Sequence, residues 1–86
     1  MAQTYLAKVY VTLKPTVNDP QGLTIKGALQ TLGFNSARSV RAGKYIEIRL
    51  EEDSLEKARQ QVQDMCQKLL ANPIIENFRF EVEAAA

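Results

Sequence analysis

The dipeptide Asn72-Pro73 constrains this chain's fold more than any other feature. Proline lacks an amide proton and disfavours helical geometry in the residue before it, so the apolar helix upstream must stop here. Asparagine is also a residue type that can take a left-handed conformation at a helix end, and Asn72 is placed where it could do so. From Ile74 to Val82 there remain only about nine residues to complete a sheet. The chain therefore ends as helix, abrupt turn and short strand.

Upstream, two kinds of apolar period divide the sequence. Tyr5 to Leu13 alternates, with Ala7, Val9, Val11 and Leu13 on one face and Leu6, Lys8, Tyr10 and Thr12 on the other, as in a half-buried strand. Asp19 followed by Pro20 reads as an N-cap and first helical residue. Ile25, Ala28, Leu29 and Leu32 then recur at helical spacing until Gly33 closes the segment. Gly22 and Gly27 each cost this helix about 1 kcal/mol relative to alanine, so it forms only by packing. Arg38 to Ala42 and Lys44 to Glu51 flank Gly43 and suggest a hairpin, its second strand turning Ile46, Ile48 and Leu50 inward. Asp53 to Glu56 supplies an acidic cap, after which Leu55, Ala58, Val62, Met65, Cys66 and Leu69 draw one stripe along four helical turns. Phe78, Phe80 and Val82 alternate with Arg79 and Glu81 in a closing strand.

The expected fold is α+β: a two-layer α/β sandwich in β-α-β-β-α-β order. An antiparallel four-stranded sheet carries two helices on one face, ferredoxin-like or a close variant. The other face is left bare, with Leu6, Lys8, Tyr10, Thr12, Ser39, Arg41, Tyr45, Glu47, Arg49, Asn77, Arg79 and Glu81 on it by alternation. Residues 1–86 form one domain, with 84–86 expected to fray. A domain of this length buries only about 60% of the surface its unfolded chain exposes, so association is expected to stabilise it. A partner sheet or another protein would cover the bare face.

Several chemistries are disfavoured. The chain has no histidine, so the commonest neutral-pH general base and the commonest metal ligand are both missing. Cys66 lies on the apolar stripe, where a thiol behaves as a small hydrophobe rather than a nucleophile. As the single cysteine it forms no internal disulfide. Glu51, Glu52 and Asp53 could hold a divalent cation, but acidic residues at a helix start already complement its dipole, and no metal is expected. Arg38, Arg41 and Lys44 bracket the hairpin and could meet a phosphate or an acidic partner, although exposed basic hairpins are commonly just solvated.

Gly43-Lys44-Tyr45-Ile46-Glu47 lacks the paired aromatics of an RNA-recognition strand, and the net charge is only +1, so nucleic acid is not an expected partner. Lys14-Pro15-Thr16-Val17-Asn18 lacks the glycines and arginine of an acylphosphatase phosphate loop. An ACT-like small-molecule-sensing regulatory dimer remains open as an alternative. No apolar run exceeds three residues, where a membrane helix needs about twenty, so a soluble cytoplasmic protein without membrane contact is expected.

Five segments in order carry a resemblance across nearly the whole chain. They are Lys8-Val9-Tyr10-Val11-Thr12-Leu13-Lys14-Pro15; Asp19-Pro20-Gln21-Gly22; Ala28-Leu29 with Leu32-Gly33-Phe34; Ser39-Val40-Arg41 with Gly43-Lys44-Tyr45-Ile46-Glu47; and Cys66-Gln67-Lys68-Leu69-Leu70-Ala71-Asn72-Pro73-Ile74-Ile75-Glu76. Together they resemble the PurS family, the small subunit of phosphoribosylformylglycinamidine synthase. Thr16 stands where that family often has glycine, and Ala42 where it often has a larger aliphatic residue.

The resemblance implies a non-catalytic subunit in de novo purine biosynthesis. The complex converts formylglycinamide ribonucleotide, glutamine and ATP to formylglycinamidine ribonucleotide, glutamate, ADP and phosphate. It also implies a homodimer, or a tetramer built from two, that bridges a glutaminase subunit and a large synthetase subunit and assists ammonia transfer. ATP and Mg belong to the large subunit, and no cofactor to this chain. Expected self-association residues are Leu6, Tyr10, Tyr45 and Arg49. Expected partner-contact residues are Pro15, Asp19, Pro20, Arg41, Lys44, Asn72 and Pro73, although Asp19, Pro20, Asn72 and Pro73 also have the plainer role of capping and stopping helices.

Overall fold

The computed structural model describes residues 2–85. Strand β1 (Gln3–Leu13) is followed by helix α1 (Pro20–Thr31), strand β2 (Gly43–Glu52), helix α2 (Leu55–Met65) and strand β3 (Glu76–Ala84). A π-helical turn, Cys66–Leu70, extends α2 and closes with the Ala71 N–H donating to the Cys66 carbonyl at 3.0 Å. The sheet has the order β2-β1-β3, with β1 antiparallel to both neighbours.

Alternation in β1 places Tyr5, Ala7, Val9 and Val11 in the core, where they meet Ala58, Val62 and Cys66 of the α2 side. Ile46, Ile48 and Leu50 from β2, with Phe78, Phe80 and Val82 from β3, flank them. Full burial of a side chain such as Val9 or Val62 contributes about 1.5–3 kcal/mol, and the central row supplies most of the small core. Helix α2 starts at Ser54, whose hydroxyl accepts from the Lys57 N–H at 3.2 Å. The cap is thus Ser54 rather than the expected Asp53, which instead pairs with Lys57 Nζ at 3.6 Å. Helical pairing ends at Leu70, before the proline, but Asn72 is not left-handed. Among the described residues only Gly33 has positive φ. Ala71 is extended, and Asn72 shapes the turn with its side chain, Oδ1 accepting from the Ile74 N–H at 3.0 Å.

Two further expectations are corrected. The sheet has three strands, not four, because Arg38 to Ala42 is not a strand and no hairpin forms at Gly43. The Ala42 N–H is used by the Asp19 carboxylate at 2.7 Å, and Arg41 donates to the carbonyls of Lys14 and Val17 at 2.9 and 2.8 Å. The segment ties down a loop in place of pairing with β2. Helix α1, moreover, does not lie on the sheet, and none of its residues joins the core cluster.

Antiparallel pairing of β1 with β2 explains the position of α1. The connection 14–42 leaves and re-enters the sheet at one end, so no crossover brings the helix back over the sheet, as a parallel β-α-β unit requires. The molecule is consequently long: its extents are 55 × 29 × 14 Å, and its radius of gyration of 16.7 Å exceeds the roughly 12 Å of a compact chain this size. At the other end of the chain, β3 runs to Ala84. Ala84 pairs with Tyr5, and the Ala85 N–H donates to the Thr4 carbonyl; Ala86 lies outside the described residues.

Candidate functional site

The bare face of the sheet is a surface of cross-strand rows. Tyr10 lies opposite Tyr45 on one side and Arg79 on the other. The two tyrosine rings are 5.1 Å apart, and the Arg79 guanidinium sits 3.9 Å above the Tyr10 ring, so a cation caps an aromatic pair. In the next row Lys8 stands between Glu47 and Glu81, with its Nζ reaching Glu83 at 2.9 Å. The Glu83 hydrogen bond and charge raise the Lys8 pKa. Tyr45 donates to Glu47 at 2.8 Å, and this bond raises its phenol above the ordinary value. The third row is Arg49, Leu6 and Glu83. All four residues expected to self-associate, Leu6, Tyr10, Tyr45 and Arg49, therefore share one face.

Most of the expected partner-contact residues gather at the end of the sheet where α1 departs. Asp19 is only 4% exposed and grips both sides of the connection: Oδ1 accepts from the Gly22 N–H at 3.0 Å and Oδ2 from the Ala42 N–H. The Gly22 bond first, then that of Ala42, holds its carboxyl below the usual range, with the nearby Arg41 charge adding to the effect. Gly22 has to be glycine here, because a Cβ would collide with the Val40 carbonyl oxygen. Pro20 begins α1, while Pro15 lies exposed in the preceding turn. Arg41 acts as a clamp on that turn rather than as a free cation.

Asn72 and Lys44 meet at the same end through Glu76, and Pro73 follows Asn72. The Asn72 N–H donates to Glu76 Oε1 at 2.7 Å, and Lys44 Nζ is 3.8 Å from Oε2. Beside Pro73, Ile74 is 80% exposed.

Some surface residues escaped the sequence reading. Alternation places Arg79 on the bare face, but only the strand register shows that it caps Tyr10. Leu32 and Leu69 fall on apolar stripes by spacing, yet they are 73% and 82% exposed, and Phe34 beyond α1 is 58% exposed. Helical periodicity marked them as needing cover without showing that the chain itself leaves them bare.

Burial raises the Cys66 thiol pKa, which suits a packing role. At the acidic segment, Glu52 accepts from the Gln61 side chain at 2.7 Å and from the Asp53 N–H at 3.1 Å. Among the described residues no group of three potential ligands converges on a metal position, and no helix is long and apolar enough to cross a membrane.

What remains outward is the aromatic and charged face of the sheet and the exposed apolar residues Leu32, Phe34, Leu69 and Ile74. The sequence matches the family model of PurS, described as phosphoribosylformylglycinamidine (FGAM) synthase, over residues 6–84. The chain belongs to the PurS family. A PurS subunit of this synthase from Synechocystis sp. is 46% identical over 84 residues, covering 98% of this chain and 84% of the relative. The crystal structure of Methanocaldococcus jannaschii PurS, one of the subunits of formylglycinamide ribonucleotide amidotransferase in the purine biosynthetic pathway, superposes with a TM-score of 0.84 at 43% identity. It covers 95% of this chain and 99% of that one. A chain in the structure of PurLQS from Thermotoga maritima matches with a TM-score of 0.81 at 30% identity, covering 95% and 98%. As a PurS subunit, the chain is a component of phosphoribosylformylglycinamidine synthase in purine biosynthesis.

Proposed function

We propose that this chain is a non-catalytic bridge: a cytoplasmic homodimer, or a tetramer built from two, that holds the glutaminase subunit against the large ATP-dependent synthetase subunit. The observation that carries this reading is the likeness of nearly the whole chain to one component of the Thermotoga maritima PurLQS assembly. The aromatic and charged rows exposed on the bare sheet face support the same reading. In this proposal ATP and Mg act on the large subunit, where formylglycinamide ribonucleotide is converted to formylglycinamidine ribonucleotide with release of ADP and phosphate. Glutamine is split to glutamate on the other subunit.

The contribution of the bridge is geometric. Ammonia freed in bulk water is diluted and protonated, whereas two active sites held in register deliver it neutral and at high effective concentration. The bare-face set Leu6, Tyr10, Tyr45 and Arg49 is assigned to contact with a second copy. Pro15, Asp19, Pro20, Arg41, Lys44, Asn72 and Pro73 mark the end of the sheet presented to the larger subunits. Of these, Asp19 and Arg41 act by shaping that end, since their polar atoms are taken up internally. The ACT-like sensor alternative has no observation in its favour.

The test is reconstitution of the synthase with and without this chain, driven by glutamine or by ammonium salt. Omitting the chain is expected to abolish the glutamine reaction and leave the ammonium reaction. Equal loss, or no loss, of both would overturn bridging.

A further inference from the structure

The connection between β1 and β2 folds a basic recess at the base of α1. Lys26 of the helix lines a hollow of about 130 Å³ together with Asn18 and Asp19 before the helix and Arg38, Ser39 and Arg41 of the returning segment. Lys26 is the only charged residue of α1, and it is half-buried. Among the described residues neither Lys26 nor Arg38 nor Arg41 forms an ion pair. Like charges gathered around one hollow repel one another, and a bound anion removes that cost. The single carboxylate of the recess does not do so. Asp19 is 4% exposed, and its two oxygens accept from the Gly22 and Ala42 N–H groups. Arg41 holds the Lys14 and Val17 carbonyls through Nη2 alone, which fixes its guanidinium and leaves the remaining N–H groups to a ligand.

We propose that the recess binds one phosphoryl group, carried by a small phosphate monoester or present as free phosphate. Its volume is well below the roughly 300 Å³ at which pockets for whole small molecules begin, so it takes a single charged group. Asn18, Arg38 and Ser39 are exposed, and the organic part of an ester stays outside on their side. A carboxylate is satisfied by one guanidinium fork. A doubly charged phosphoryl group with three terminal oxygens uses two forks and an ammonium, with the Ser39 hydroxyl and the Asn18 amide as neutral donors. Bound there, it joins α1 to segment 38–41 and reinforces the tie that Asp19 already makes between them. The site is a property of the chain by itself and does not depend on bridging.

NMR titration of the full chain tests it, with glycerol 3-phosphate, inorganic phosphate and sodium acetate added in parallel at constant ionic strength. The phosphoryl compounds are expected to shift the amides of Lys26, Ser39 and Arg41 and leave those of Ala7 and Val9 in place. Half-saturation should fall on the order of 1 mM, as for one group held by a few charge-assisted hydrogen bonds. Tighter binding of the ester assigns the site to a phosphorylated small molecule, and equal binding assigns it to free phosphate. Shifts that grow linearly without saturating, or acetate binding as tightly as phosphate, overturn the proposal.

Substitution gives a second reading. Lys26→Gln and Arg38→Gln break no ion pair within the chain, and each should weaken phosphate binding at least about tenfold. Arg38→Lys, which keeps the charge and loses the fork, should weaken it less. The Ala7 and Val9 amides report that each variant keeps its fold. Undiminished affinity in both glutamine variants places any bound phosphate elsewhere and defeats the assignment.

Discussion

Asp19 shows how much one side chain can carry. It caps α1 and, through Ala42, ties the far end of the connection to the near one. Its carboxyl lies below the usual range in the folded chain, so it adds stability above the unfolded carboxyl pKa, about 3.9, and loses that contribution as pH falls through this value toward the folded one. The base of α1 should therefore loosen below about pH 4, before the β1 core does. NMR of the Gly22 and Ala42 amides against pH would record this. Asp19→Asn should abolish the acid dependence and weaken the anchor at neutral pH, because an amide cannot accept from both N–H groups at once when one of its two atoms is a donor. Unchanged amide shifts in that variant would mean that the two hydrogen bonds do not anchor the connection. The need for these bonds was not visible in the sequence, where Asp19-Pro20 reads only as a helix start. Its second hydrogen bond comes from a residue far along the chain.

At the scale of elements, the two helices differ in what supports them. Helix α2 has a side-chain cap, a continuous apolar stripe and a place on the sheet, and the sequence revealed it apart from the identity of the cap and the π-helical closing turn. Removing the Ser54 cap by Ser54→Ala should cost about 1 kcal/mol, read as a lower denaturation midpoint with an unchanged slope. Asp53→Ala, which removes an exposed i,i+4 pair, should cost only a few tenths. Reversal of that order would show that the acidic residue is the true cap. Helix α1 has the Asp19 cap and a well-formed end. There Gly33 adopts φ of +98°, and the Gly33 and Phe34 N–H groups return to the carbonyls of Gln30 and Leu29. Both ends of α1 were legible in the sequence; its location was not. Arg38 to Ala42 misleads because Val40 between polar residues beside a glycine looks like half of a hairpin, whereas the Ala42 N–H goes to Asp19 and the Arg41 side chain to the 14–17 turn.

For the whole molecule, the long shape and the bare sheet face have the same consequence: a single chain leaves much of its apolar and aromatic surface uncovered. Tyr10 and Tyr45 stand clear of the core on the face opposite α2, so Tyr10→Ala with Tyr45→Ala should leave the circular dichroism spectrum and the fold unchanged. Each aromatic anchor of an interface is worth about 2 kcal/mol or more, and the double variant should weaken self-association by more than about 100-fold in sedimentation. Unaltered self-association would remove the bare face from the contact surfaces between copies and leave it to the larger subunits.

From the sequence alone came the elements and their inner sides: the alternation of β1, β2 and β3, the stripe of α2, the closure of α1 at Gly33 and the stop before Pro73. Each of these is recorded locally, by a period of two or of 3.6 residues or by the stereochemistry of glycine and proline. The five resembling segments added the family. Tertiary structure alone decided that β2 is the antiparallel neighbour of β1, that the sheet has three strands, that α1 stands beyond its end, and that Arg79 caps Tyr10. Those outcomes depend on which distant segments meet, and a periodic stripe states that a face must be covered without naming what covers it.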